Sequence, residues 1–261
     1  MHVVDLSPEH QSLYFVCLDD WSEEIKEAGD HKARWYERMK ERGLRVKLAL
    51  NDDGAVGGMI QYLPIEQSTV AGRSLYFIPC IWVHGHKQGR GNQQGRGLGR
   101  ALLEAAEGDA ADQGALGMAA WGLMLPFWMK ASWYRRHGYR KADRDGIALL
   151  LWKPFRPDAE PPRWVRARKQ PEMAPGRVTV TACLTGWCPA QNVTFERARR
   201  VAAEFGEKVE FRAIDTSDRQ TFQEWGRADV LFVDRKQVWT GPPVSSDKLR
   251  KLIARRVRAL G

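Results

Sequence analysis

Gln94-Gly95-Arg96-Gly97-Leu98-Gly99 lies between a β-rich apolar run, Leu75 to Val83, and an amphipathic helix with Leu98, Ala101, Leu102 and Ala105 at i, i+3, i+4 and i+7. Strand, glycine loop and helix in that order are the context in which a loop cradles phosphate. Glycines at 95, 97 and 99 let the backbone bend and approach a ligand, and the first N–H groups of the helix favour negative charge. Arg96 and Arg100 would add planar guanidinium forks suited to phosphate oxygens. By itself the loop fits a surface turn closing onto a helix equally well, and the flanking elements favour the cradle.

The spacing lacks the Gly-Lys-Ser/Thr ending of a Walker loop and the G-x-G-x-x-G of a dinucleotide fold. Gln-x-x-Gly-x-Gly leading into Arg-Ala-Leu-Leu resembles the acyl-CoA pyrophosphate loop of the GNAT superfamily of N-acyltransferases. A second ordered block, Ala131-Ser132-Trp133-Tyr134-Arg135-Arg136-His137-Gly138-Tyr139, resembles the late helix and turn of that superfamily, and the YoaP-like subgroup is the nearest in pattern. The resemblance covers residues 1–155. It implies a GNAT-type mixed sheet with flanking helices and acetyl-CoA as acyl donor. It also implies backbone bonds from Ile81, Trp82 and Val83 to the pantetheine arm, and Gln94, Gly95, Arg96, Gly97, Leu98, Gly99 and Arg100 around the diphosphate. Residues 88–93 nearly duplicate 94–99, so the loop has two possible registers, of which only the second enters a helix.

At 261 residues, 43% hydrophobic and 28% charged, the chain suits two modest cores. Between 154 and 175 it carries Pro157, Pro161, Pro162 and Pro171 among charged residues, which resists helix and sheet and suits a semi-rigid linker. The expected organisation is an acyltransferase domain over 1–155, a linker over 156–176 and an accessory α/β domain over 177–261. In the first, helices are expected over Pro8 to Phe15 and His31 to Arg42. A hairpin of Arg45 to Leu50 with Val56 to Leu63 follows, then a strand near Leu116 to Trp121, a helix over Phe127 to Arg136 and a strand from Ile147 to Lys153. In the last, the order β-α-β-α-β-β-α with Gly186-Trp187-Cys188-Pro189 after the first strand resembles a small thioredoxin fold. Its redox motif is incomplete, because Gln191 stands where thioredoxins place a second cysteine, and Arg227-Ala228-Asp229-Val230 stands where they place a cis-proline before the third strand.

The N-terminus has no secretory pattern and the longest apolar run, Ile147 to Trp152, is far short of a membrane span, so a cytoplasmic protein without membrane contact is expected. Four scattered cysteines argue for reduced thiols and against structural zinc. The net charge of +9 comes without a helix-turn-helix, zinc-finger or aromatic RNA-binding signature, and nucleic acid is not the expected partner. Much of the excess lies on the last helix or around the glycine loop.

Acyl transfer to a lysine-like amine costs about 4.6 kcal/mol to generate the neutral nucleophile at pH 7, but only about 1.4 kcal/mol for an amine of pKa near 8. By resemblance Tyr134 is the general acid toward the CoA thiolate; packing on the core is the alternative for it. His84, at the strand end, is the candidate base or ligand of a catalytic water, because its ordinary pKa leaves it mostly neutral. His86 and His84 alone make no metal site. Cys17 and Cys80 read as core residues. Cys188, before a proline at a helix start, could be a reactive thiol, and a disulfide with Cys183 is conceivable.

These residues lead to an acetyl-CoA-dependent N-acetyltransferase acting on a small-molecule amine by direct attack in a ternary complex. A thiol-handling module using Cys188, with a CoA-binding regulatory domain, is the competing reading. Acceptor identity and oligomeric state have no signature.

Overall fold

The computed structural model describes residues 1–125, 129–166, 168–239 and 241–260. Its elements in chain order begin with β1 (His2–Asp5), α1 (Gln11–Phe15), α2 (Glu23–Lys26), α3 (His31–Lys40), β2 (Arg45–Leu50), β3 (Val56–Pro64), β4 (Val70–Ala71) and β5 (Leu75–Val83). Next come α4 (Leu98–Asp112), β6 (Gly117–Leu123), α5 (Ala131–Arg136), β7 (Arg140–Asp145), β8 (Ala148–Pro154) and β9 (Arg163–Trp164). The remainder is β10 (Val178–Leu184), α6 (Pro189–Ala203), β11 (Val209–Asp215), α7 (Arg219–Trp225), β12 (Val230–Val233), β13 (Lys236–Trp239) and α8 (Ser246–Arg258). The chain divides into two compact units, Met1–Trp21 with Glu37–Val165, and Ser22–Tyr36 with Arg166–Gly261.

In the first unit seven strands form one mixed sheet in the order β1-β2-β3-β5-β6-β8-β7, antiparallel except for the parallel pair β5 and β6. β3 is buried over nearly its whole length and β8 reads Ala-Leu-Leu-Leu-Trp, the composition of strands covered on both faces. α4 buries Leu98, Leu102, Leu103, Ala106 and Ala110 in a core with Ile60, Tyr62, Ile78, Met118 and Leu151. Gly57 and Gly58 of β3 let α4 lie close, since a Cβ at Gly57 would stand 2.9 Å from Leu98 and one at Gly58 3.0 Å from Leu102. Part of the proline-rich stretch pairs as β9 with β4. The helix expected over 127–136 is formed from Ala131; 126–128 lie outside the described residues.

The second unit has a four-stranded sheet in the order β11-β10-β12-β13, with β10 parallel to β11 and antiparallel to β12. α6 starts with Cys188 as N-cap and Pro189 in the first turn, where a missing N–H costs nothing. It buries Val193, Phe195, Ala198, Val201 and Ala202 against the sheet. α8 is capped by Ser245, buries Leu249 and Ile253, and ends on Arg255, Arg256 and Arg258 beside its negative dipole end. This unit takes in residues 22–36. Arg197 of α6, with a side chain only 11% exposed, bonds Glu27 at 2.6 Å and Glu24 at 2.9 Å, and Glu196 lies 2.8 Å from His31. The Arg197 hydrogen bond is the main cause that holds the Glu27 carboxyl below its ordinary pKa.

Among the described residues no helix is long and apolar enough to cross a membrane, and no group of three or more His, Cys, Asp or Glu side chains is arranged to hold a metal ion.

Candidate active site

The site is built on the end of β5. β5 pairs with β6 only over Leu75 to Ile78 with Gly117 to Ala120, although β5 runs on to Val83 and β6 to Leu123. Toward β3, β5 spends one extra residue between Phe77 and Cys80, a bulge that bends it away from its parallel neighbour. His84 N–H donates to Gly57 O at 3.0 Å, so by the antiparallel alternation Ile81 and Val83 turn their main-chain groups to the β6 side. Two side chains there confirm the parity. Trp121 donates its indole N–H to Pro79 O at 2.8 Å, and Gln94 its amide to Val83 O at 3.3 Å. Between them Ile81 presents its N–H and C=O to the open side.

The glycine loop leads from this edge to α4. Gly97, at φ 84°, is the N-cap and provides no side-chain bond to the helix; the first turn holds no acidic residue and the first helical bond goes to Ala101 N–H. Space around Gly95 and Gly97 is open. The N–H groups of Leu98, Gly99 and Arg100 therefore have no internal cap, which is the condition for binding an anion. Leu98 anchors the turn in the core, and Gly99 lies within 3.6 Å of Val83 for any added Cβ. Arg96 is exposed, and Arg100 donates to Glu104 at 2.7 Å rather than turning over the loop.

Both copies of the duplicated hexapeptide repeat the same left-handed glycines, at 89 and 91 and at 95 and 97. Their surroundings separate them. The first copy is occupied by protein: Arg90 pairs with Asp20 at 3.2 Å, Gly91 O lies 2.8 Å from His84 Nδ1, Gln93 N–H donates to His84 O, and a Cβ at Gly89 would strike Trp21 at 2.2 Å. In the second copy Gln94 N–H donates to Asn92 Oδ1 at 2.9 Å, and the space around Gly95 and Gly97 stays open.

Tyr134 stands on α5, 1% exposed, packed against Trp133 and Tyr139, and its hydroxyl has no hydrogen-bond partner. Burial, then the neighbouring Cys80 thiol, pushes its pKa well above the ordinary value, so it is a proton donor and not a phenolate. A buried hydroxyl without a partner is uncommon.

His84 is fully buried. Its Nδ1 contacts Gly91 O and its Nε2 accepts the indole N–H of Trp21 at 3.1 Å, so both ring nitrogens are in use. A base must reach the proton that it takes, and this ring instead ties the first glycine copy to Trp21. Asp19 Oδ1 lies 3.6 Å from His84 Nε2, and His86 sits exposed between the rings of Trp21 and Trp82. Neither Asp19 nor Trp21 carries a sequence signal; the bond from Trp21 to His84 spans 63 positions.

In the second unit Cys188 is 7% exposed, and Cys183 is a free thiol, so the conceivable disulfide between them is not formed. Burial, then the Asp229 carboxylate, pushes the Cys183 thiol up to about 12. Asp229 accepts from Thr185 N–H at 2.8 Å and from its hydroxyl at 2.9 Å, and burial pushes its carboxyl up to about 6.

No family model matches the chain, and no curated protein matches it. Solved structures similar to it include a GNAT family acetyltransferase from Brucella melitensis in complex with acetyl-CoA, 18% identical over 61% of this chain and 90% of that one, with a TM-score of 0.41. The PaiA N-acetyltransferase from Thermoplasma acidophilum in complex with coenzyme A is 18% identical over 59% of this chain and 100% of that one, TM-score 0.44. A GNAT family acetyltransferase from Staphylococcus aureus is 12% identical over 59% and 99%, TM-score 0.45.

Proposed function

We propose that this chain is an acetyl-CoA-dependent N-acetyltransferase of GNAT type, nearest the YoaP-like subgroup, that acetylates a small amine by direct attack in a ternary complex. The observation that carries the reading is the uncapped N-terminus of α4 behind the open glycine loop. The unpartnered Tyr134 hydroxyl on α5 and the main chain of Ile81, beyond the last rung that β5 makes with β6, support it. A thioester with a long amide-bearing arm and a diphosphate carries groups of the matching chemistry. When bound, acetyl-CoA supplies an activated acyl group. Ile81 and Val83 align the arm, Trp82 between them faces β3 with its main chain, and the amides at Leu98, Gly99 and Arg100 take the diphosphate, with Gln94 at the entrance. Tyr134, neutral and desolvated, donates its proton to the departing thiolate. His84 acts as a positioning residue and not as the base.

The domain organisation follows the same reading, with 1–155 as the transferase apart from residues 22–36, which belong to the second compact unit, 156–176 as a linker whose first half packs with the first unit, and 177–261 as a thioredoxin-like accessory domain, in a cytoplasmic protein. Support for the last domain is the strand order β11-β10-β12-β13 and the helix starting at Cys188. The thiol-handling alternative is not favoured, because Cys188 is buried and Cys183 holds its proton far above neutral pH. Incubation with acetyl-CoA and a panel of small amines, read by thiol detection, is expected to give amine-dependent CoA release. No release with any amine would overturn the proposal.

A further inference from the structure

Residues 166–261 contain 19 Lys and Arg against 11 Asp and Glu, and so hold nearly all of the net charge of +9. Within them the excess is concentrated on α8, whose 13 residues include six cations and one acid, Asp247. Two of the six have acidic neighbours: Arg250 bonds Glu204 and Asp247 at 2.6 Å each, and Arg256 lies 3.9 Å from Asp234. The other four, Lys248, Lys251, Arg255 and Arg258, are exposed, and among the described residues no acidic side chain pairs with any of them. Their spacing of three, four and three positions sets them in one stripe about 15 Å long. Leu249 and Ile253, on the other side of the helix, are buried in the core.

The helix dipole accounts for only part of this stripe. Arg255 and Arg258 stand near its negative end, but Lys248 is in the first turn, where the partial charge is positive and disfavours a cation. Successive members of the stripe are also like-charge neighbours at i,i+3 and i,i+4, each unfavourable in the free helix. An external polyanion relieves both conflicts. A protein partner would need apolar or aromatic anchors at the centre of the contact, and α8 has no aromatic residue while Leu249, Leu252, Ile253 and Val257 pack on the core. The same lack argues against stacked single strands and against a membrane surface, which amphipathic helices enter through an apolar face. The backbone of a nucleic-acid duplex, with one negative charge per about 1.7 Å of axis, offers a row of anions longer than the stripe.

We infer that the exposed stripe of α8 docks on the phosphate backbone of a nucleic-acid duplex, a binding function separate from acetyl transfer. The contact positions the protein on the duplex and reads no base, in keeping with a chain that has no base-reading motif.

Fluorescence anisotropy of the full chain with a labelled DNA duplex of arbitrary sequence, repeated over a salt series, tests it. Saturable binding is expected at about 50 mM salt, and log affinity should fall against log salt with a slope of about −3.6 for four phosphate contacts. A duplex of unrelated sequence should bind within about threefold. The fourfold variant Lys248→Ala, Lys251→Ala, Arg255→Ala, Arg258→Ala should bind at least about tenfold more weakly and lose most of that slope. No binding by the unaltered chain at about 50 mM salt, or undiminished binding by the variant with its helical circular dichroism intact, would overturn the inference. Binding of poly-L-glutamate or of phosphatidylserine vesicles as tight as that of the duplex would also overturn it, assigning the stripe to an acidic protein or to a membrane. The slope and these two comparisons are read on the unaltered chain and stand if the variant fails to fold.

Discussion

Trp121 donates its indole N–H to the carbonyl of Pro79 at 2.8 Å, bridging β6 and β5 just beyond the last rung of their parallel ladder. Main-chain groups that a sheet would normally pair are thus divided between side chains and open space. Pro79 O goes to Trp121 and Val83 O to Gln94, and the β5–β6 ladder ends before Ile81. A bulge and one indole together make a strand edge in the middle of a sheet.

The Tyr134 hydroxyl separates catalysis from stability. Because it has no partner, Tyr134→Phe removes a desolvated polar group without orphaning another, and unfolding free energy should stay level or rise by up to about 2 kcal/mol. Turnover should fall about 10²-fold or more while acetyl-CoA affinity stays within about twofold. A loss of stability above about 1 kcal/mol in denaturant titration would place the hydroxyl in a structural bond.

His84 should behave in the opposite way. His84→Ala opens a cavity at a fully buried ring and abandons Gly91 O and the Trp21 indole, so a loss of about 2–4 kcal/mol is expected. A variant as stable as the parent but without activity would restore His84 as the base.

Alkylation distinguishes the roles of the thiols. With its pKa pushed up to about 12, Cys183 should resist iodoacetamide at pH 8 in the folded chain and react once denatured, as read by mass spectrometry. Cys188→Ser should leave amine-dependent CoA release unchanged. Loss of release in that variant would favour the thiol-handling alternative.

Asp229 gives the second unit a pH dependence of unusual sign. Its folded pKa of about 6 lies above the ordinary 3.8, so between those values the native state binds more protons than the unfolded one. Its contribution is fully present below about pH 4 and is lost as pH rises through 6, a difference of about 3 kcal/mol. Asp229→Asn should flatten the stability profile between pH 4 and 7, measured by denaturant titration. An unaltered slope would assign it to other groups.

The path from β5 through the glycine loop to α4 was legible because each part is strongly periodic and the junction is chemically unusual. β10, α6 and β11 followed for the same reason. β7, with the sequence Arg-Lys-Ala-Asp-Arg-Asp, was not legible: it is an edge strand, paired only with β8, and has no apolar alternation to betray it. The membership of residues 22–36 in the second unit rests on pairs such as Arg197 with Glu27, 170 positions apart, and short charged segments carry no record of such partners. The same holds for Asp19 and Trp21. Their approach to His84 depends on a left-handed turn at Cys17 and Leu18, which those side chains do not advertise.

Calorimetric titration with acetyl-CoA, comparing the unaltered chain with Gly97→Glu, addresses the central claim most directly. Gly97 has the left-handed φ of 84° and open space around it, so the substitution adds a carboxylate at the uncapped end of α4. Saturable binding is expected, weakened at least about tenfold by repulsion of the diphosphate and by backbone strain. No binding of acetyl-CoA at millimolar concentration, or equal binding by both proteins, would contradict the account.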